Sequence, residues 1–236
     1  MAARSVRIIK FGTLTLEAFE EADFKAVALK ELCGVGGGST VTYIESDARI
    51  IVDTGFDFEF NLSNENREWN TKNLLHNLAI LGLKPSDIDI VFITHWHRDH
   101  FGNLGMFRES EIVTAKAAVE KYGFNSIGVK DGDRIADGVR TVSTPGHTAD
   151  HMSLVVKTER LRYSNSNRSG GRIIGIGEMK IAIAGDAVVS PSYYLAGKIW
   201  RYNADFYSED EAMKSVEKLK NLADYIIPGH GCMFRP

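Results

Sequence analysis

Seven side chains in this chain have the types and spacing to bind metal. The segment Thr94-His95-Trp96-His97-Arg98-Asp99-His100 packs three imidazoles and a carboxylate into six positions. Three further candidates stand alone: His147 in Thr-Pro-Gly-His, Asp186 in Ala-Gly-Asp and His230 in Pro-Gly-His. A single catalytic zinc takes about three protein ligands and a water, so seven ligands are too many for one ion. They suit two ions a few ångström apart, with one carboxylate between them. On this reading His95, His97 and His147 hold the first ion, Asp99, His100 and His230 hold the second, and Asp186 bridges.

Two divalent ions bring four positive charges. Asp99, Asp186 and a bridging hydroxide return about three negative ones, leaving a site that attracts an anionic or polarised oxygen. Metal coordination can bring the pKa of a bound water down to about 7. The expected chemistry is attack of the metal-bridging hydroxide on a carbonyl or phosphoryl centre, with the second ion stabilising the developing charge. Asp99 could also pass the proton onward. With only nitrogen and oxygen ligands, Zn, Mn and Fe all fit, and Zn is the first expectation.

Such a site needs several chain ends brought to one rim. Each candidate follows a strand-like run: Ile88–Ile93 before the histidine cluster, Val139–Val142 before His147, Lys180–Ala184 before Asp186 and Tyr225–Ile227 before His230. If the first of these strands stays extended through Thr94, His95 and His97 share a face. Upstream, residues 6–16 read as a strand or hairpin, and residues 17–32 have near-helical spacing. Gly34–Ser39 is a loop without the Gly-Lys-Ser/Thr ending of a phosphate cradle. Strands at Thr40–Glu45 and Arg49–Val52 lead into Asp53. Leu74, Leu75, Leu78 and Leu81 then mark a helix, after a polar segment over Phe56–Trp69. Ser208-Glu209-Asp210-Glu211 has the form of a capping box, followed by Met213, Val216, Leu219 and Leu222 as an apolar helix face. Residues 162–172 are the best candidate for an exposed hairpin loop.

Each half therefore runs strand–Asp, helix, strand–His. Asp53 precedes His95 by 42 positions and Asp186 precedes His230 by 44. No linker separates the halves, so residues 1–236 are expected to form a single domain. The expected α/β architecture is two facing mixed sheets with helices outside, the strand ends of both halves meeting at one edge.

Here the motifs resemble those of the metallo-β-lactamase superfamily: Thr-His-Trp-His-Arg-Asp-His, Thr-Pro-Gly-His147, Ala-Gly-Asp186 and Pro-Gly-His230. Asp53 in Val-Asp-Thr-Gly resembles its first motif, a structural acid beneath the site. The resemblance covers residues 40–231 and implies the αββα four-layer sandwich. The aspartate at 186 resembles the glyoxalase II, lactonase and RNA-processing branches more than the true β-lactamases. The absence of Gly-Gly after His100 weighs against glyoxalase II, and the pattern looks closer to a small-domain branch of the superfamily.

Asp99, Asp186 and His151 are the candidate catalytic residues. His151 could contact substrate or support the ligands, or could simply pack. Tyr193, Tyr194, Trp200 and Tyr202 divide between core and substrate mouth, with core favoured for at least half. Cys232 reads as a small buried residue, and His76 has no assigned role. The first expectation for function is a hydrolase of an ester, thioester or lactone bond in a small molecule. A phosphodiesterase or ribonuclease using the same site is the alternative. A di-iron redox or sensor protein is a third reading, disfavoured because a partner flavin domain does not fit in 236 residues.

The net charge of -3 offers no basic footprint for nucleic acid, although Arg162, Arg168 and Arg172 gather in one loop. Two cysteines make no disulfide framework. No apolar run approaches membrane-spanning length. These features point to a cytoplasmic protein without membrane contact; a homo-oligomer stays open.

Overall fold

A computed structural model describes residues 1–14, 37–57, 64–163 and 172–236. The helical spacing over residues 17–32, and most of the loop expected over 162–172, lie outside the described residues.

The strands are β1 (Ser5–Lys10), β2 (Val41–Glu45), β3 (Arg49–Val52), β4 (Ile90–Phe92), β5 (Glu111–Ala115), β6 (Ile127–Val129), β7 (Arg134–Ala136), β8 (Val139–Ser143), β9 (Met152–Tyr163), β10 (Arg172–Gly185) and β11 (Tyr225–Pro228). They fall into two wings. The first carries β1 to β6, with β3, β4, β5 and β6 mutually parallel. The second carries β7 to β11, with β9 antiparallel to both β8 and β10. At the seam β1 pairs antiparallel with β2 and parallel with β9, Val6 opposite Leu161. The two expected sheets are thus one hydrogen-bonded, curled run of strands.

Side-chain alternation makes the layers. Ile50 and Val52 of β3 join Ile181 and Ile183 of β10 in a core shared by both wings. The intervening Ile51 points the other way, onto helix α1 (Asn64–Ile80), with Leu74 and Leu78. Ala182 and Ala184 likewise face outward, onto helix α5 (Glu209–Leu222) and its Leu219. Period-two patterning therefore gives each wing one inner and one helix-covered face, the αββα arrangement. Leu78 and Leu219 are fully buried, each worth about 1.5–3 kcal/mol relative to exposure.

Both helices differ from the sequence expectation. Helix α1 starts at Asn64, well before the leucine run. Its buried stripe is Asn70, Leu74 and Leu78, four residues apart, and the polar Asn70 conceals the pattern. Asn70 is buried because it exchanges two hydrogen bonds with the Asp57 backbone. On α5 the buried face is Ala212, Ser215 and Leu219, while Met213 is 52% exposed. Ser208 caps the helix by accepting from the Glu211 backbone N–H, and the Glu211 side chain pairs with Lys214 rather than reaching back. Three short helices complete the description: α2 (Arg98–Phe101), α3 (Lys116–Tyr122) and α4 (Pro191–Leu195).

Candidate metal centre

All seven candidate ligands lie just past strand ends on one rim. Strand β4 stops at Phe92, so His95 and His97 are not placed by strand alternation, contrary to the sequence expectation. Asp53 redirects the chain instead. Its carboxylate accepts from the Thr94 backbone N–H at 2.9 Å and from the Thr94 hydroxyl at 2.9 Å. It also accepts from His100 Nδ1 at 2.7 Å. Asp53 takes φ +57°, the one non-glycine positive φ among the described residues. Such a conformation costs on the order of 1–3 kcal/mol and persists where surrounding bonds hold it. Thr54, Phe56 and Ser39 donate to the carbonyls of His100 and Asp99, clamping α2 against the rim.

The ligand atoms form two groups. His95, His97, His147 and Asp186 offer atoms within 4.8 Å of one another, as do Asp99, His100 and His230. In the first group His97 Nδ1 lies 2.9 Å from His95 Nε2 and 3.0 Å from His147 Nε2. Asp186 Oδ2 faces this group, 3.3 Å from His147 Nε2 and 3.9 Å from His95 Nε2. Asp186 Oδ1 faces the other way, 3.2 Å from His100 Nε2 and 3.4 Å from His230 Nε2. Asp99 Oδ2 completes the second group, 3.3 Å from His230 Nε2. One carboxylate thus presents one oxygen to each group.

The outer nitrogens say what the inner ones can hold. His97 Nε2 meets Asp205 Oδ1 at 2.9 Å, His100 Nδ1 meets Asp53, and His230 Nδ1 meets the Thr13 carbonyl at 2.8 Å. These oxygens only accept, so the ring protons sit on the outer nitrogens. His95 Nδ1 has the Thr94 hydroxyl at 3.1 Å. In the first group His95 Nε2 and His97 Nδ1 are then lone pairs 2.9 Å apart, repulsive unless a cation lies between them. Both oxygens of Asp99 and Asp186, with His100 Nε2 and His230 Nε2, are buried without hydrogen-bond partners among the described residues. Buried groups left so are costly unless paired or bound to metal. The donor set fits a pair of divalent ions.

Electrostatics agree. Burial pushes His95 and His147 well below the ordinary imidazole range. Burial also opposes charge on His100 and His230, but Asp186 and Asp99 outweigh it, raising His100 well above that range and His230 to about 9. Burial alone would raise Asp186; His100, His230 and His147 overcome it and hold its carboxylate well below the usual range. The second group, with Asp99 beside the shared Asp186, therefore has the more negative field and favours positive charge.

His151, a candidate for contacting substrate, supporting the ligands or packing, lies buried behind Asp186. Its Nε2 accepts from the Asp186 backbone N–H at 3.1 Å, and its Nδ1 meets the Thr144 hydroxyl at 2.8 Å. Burial lowers its pKa to about 3, so it stays neutral and keeps Nε2 as an acceptor. Both ring nitrogens are engaged behind Asp186, which makes His151 a positioning residue for that carboxylate. Cys232, expected to be buried, is exposed. Tyr193 and Trp200 are buried, whereas Tyr194 and Tyr202 are only partly so. Tyr193, Tyr194 and Trp200 line a cavity of about 530 Å³ that also touches His147 and Asp186. Sequence reasoning missed Asp205, Asn203 and the Thr13 carbonyl. The first two sit in an irregular segment with no motif, and a carbonyl has no sequence signature.

This constellation is a candidate metal centre on an αββα fold. The family model described as the metallo-beta-lactamase superfamily matches residues 34–230. The chain belongs to that superfamily and is one of its hydrolases. It is 27% identical over 201 residues to metallo-beta-lactamase domain-containing protein 1 of Xenopus laevis, covering 83% of this chain and 72% of that one. It is 30% identical over 96 residues to an N-acyl homoserine lactonase of Bacillus cereus, covering 35% of this chain and 38% of the relative. Among solved structures, a quorum-quenching N-acyl homoserine lactone lactonase superposes with a TM-score of 0.63 at 19% identity, covering 98% of this chain and 93% of that one. No helix among the described residues is long and apolar enough to cross a membrane.

Proposed function

We propose that this chain hydrolyses a carboxylic ester, thioester or lactone bond of a small molecule at a centre holding two zinc ions. The observation that carries this reading is the division of Asp186, one oxygen toward each group of ligands. Similarity to a lactonase in sequence and in fold supports acyl substrates. When bound, the ion pair would supply Lewis acidity and an acidified water at neutral pH. The chain's own part is to fix that pair and manage the proton. Asp186 sets the spacing of the two groups, and His151 holds Asp186 through its backbone. Asp53 fixes His100 so that Nε2 faces inward. Asp99 points Oδ2 at the second group and leaves Oδ1 buried without a hydrogen-bond partner, the atom best placed to take a proton. The small-molecule substrate, and work in a reducing cytoplasm that keeps the exposed Cys232 thiol free, belong to the same proposal.

The test sets p-nitrophenyl acetate, an acyl-homoserine lactone and bis-p-nitrophenyl phosphate beside metal analysis. Turnover of the ester or lactone, lost in Asp186→Ala together with metal, supports the proposal. Turnover of the phosphodiester alone would replace it with the phosphodiesterase reading.

A further inference from the structure

Asp205 lies outside every motif, yet among the described residues it makes the one outer contact that a first-group histidine has with a carboxylate. It accepts from His97 Nε2 at 2.9 Å and from Asn203 Nδ2 at 2.9 Å. Asn203 Nδ2 also donates to the His147 carbonyl at 2.9 Å. Two ligands of the first group, 50 positions apart, are thus tied to one short segment: His97 by its ring, His147 by its backbone. Tyr207 and Ser208, just beyond, donate their backbone N–H groups to the Gly146 carbonyl next to His147. The segment is anchored at both ends of this bracket.

The contact is also specific in orientation. His97 is the one ligand in the two groups that offers Nδ1 inward, and that requires Nε2 to carry the proton. Asp205 Oδ1 accepts only, so it selects that tautomer and makes the imidazole a better donor to a cation. His97 is the most exposed ligand, 13% at its side chain, and Asp205 is 38% exposed. The second group instead rests on buried Asp53 and a backbone carbonyl. It also has Asp99 in addition to the shared Asp186, whereas the first group has only imidazoles beside Asp186.

We infer that Asp205, held by Asn203, is a positioning residue for the first ion, orienting His97 so that this ion binds, and that it has no comparable hold on the second. This rests on the dinuclear reading of the site but on no particular substrate. A carboxylate behind a metal-bound histidine typically governs affinity by 10–100-fold, and here that effect falls on one ion of two.

The experiment is competition with a chelator for zinc, followed as two successive binding constants in the whole 236-residue chain. His147→Ala identifies which step belongs to the first ion. Asp205→Ala is expected to weaken that same step by about 10–100-fold and to leave the other within about twofold. Asp205→Asn, which keeps an accepting oxygen, is expected to recover part of the loss, and cobalt substitution should show the altered absorption in the first step only. Unchanged constants for both steps, or equal weakening of both, would overturn the inference. If Asp205→Ala does not fold, Asp205→Asn decides it: a selective loss in the first step supports the inference, and two unchanged constants overturn it. Loss of ester turnover has no bearing, so failure of the substrate assignment and failure of this inference are separable.

Discussion

Asp53 and His100 are joined by a 2.7 Å hydrogen bond beneath the metal centre, both side chains buried. The same carboxylate holds Thr94, and its own backbone sits at φ +57°. Replacing it breaks three bonds at once and frees His100 to turn. Asp53→Ala is expected to destabilise the chain by about 1–3 kcal/mol, from donors left unsatisfied. It should also weaken the second ion by about 10–100-fold. Thermal unfolding and zinc competition check the two effects, and an unchanged second-ion constant would contradict the role given to Asp53.

Gly229 sits against the Asp186 carboxylate, and a Cβ there would collide with Asp186 Oδ1. Glycine at 229 therefore leaves the room that lets Asp186 face both groups. Gly229→Ala is expected to cut hydrolysis by about 100-fold or more, since a displacement of about 1 Å at a reacting centre costs that much. Far-ultraviolet circular dichroism should remain unchanged. Wild-type turnover with the substituted chain would show that the carboxylate does not need that position.

Protons on the second group give a pH prediction. In the metal-free chain His230 titrates at about 9 and His100 well above the ordinary range, because Asp186 and Asp99 outweigh burial. A raised histidine pKa stabilises the metal-free fold below the ordinary imidazole range, and that contribution is lost as pH rises through about 9. Ligation requires neutral rings, so zinc must displace these protons. Calorimetry in two buffers of different ionisation enthalpy should show more than one proton released at about pH 7, and less release above the pKa of His230. No release at neutral pH would contradict the charge state described.

The candidate ligands were legible in sequence because histidines and acids gather in the 95–100 cluster and recur singly just after strand-like runs at 147, 186 and 230. Strand alternation predicts a shared direction for His95 and His97, but the strand ends early and the Asp53–Thr94 bonds do the placing. The layered fold was legible in the strand–Asp, helix, strand–His order repeated in the two halves, whereas the start of α1 was hidden by the polar Asn70 in its buried stripe. Asp205 and Asn203 were illegible because they act at distances of 108 and 56 positions, through single contacts. The seam through β1 and β9 depends on pairing across most of the chain, which no local pattern reports.

Packing outside the rim gives a stability prediction independent of chemistry. Leu219 is fully buried between α5 and the outer face of the second wing. Leu219→Ala is expected to cost about 2–5 kcal/mol by lost burial and the cavity left behind. Met213→Ala on the same helix, half exposed, should cost less than about 1 kcal/mol. Denaturant unfolding of the two variants checks this; equal costs would mean that α5 packs by a different face.

The two-ion reading of Asp186 is tested most directly by anomalous diffraction at the zinc edge from crystals grown with excess zinc. Two peaks are predicted, one among His95, His97 and His147 and one among Asp99, His100 and His230, with an oxygen of Asp186 on each. A single peak, or two peaks of which only one touches Asp186, would contradict it.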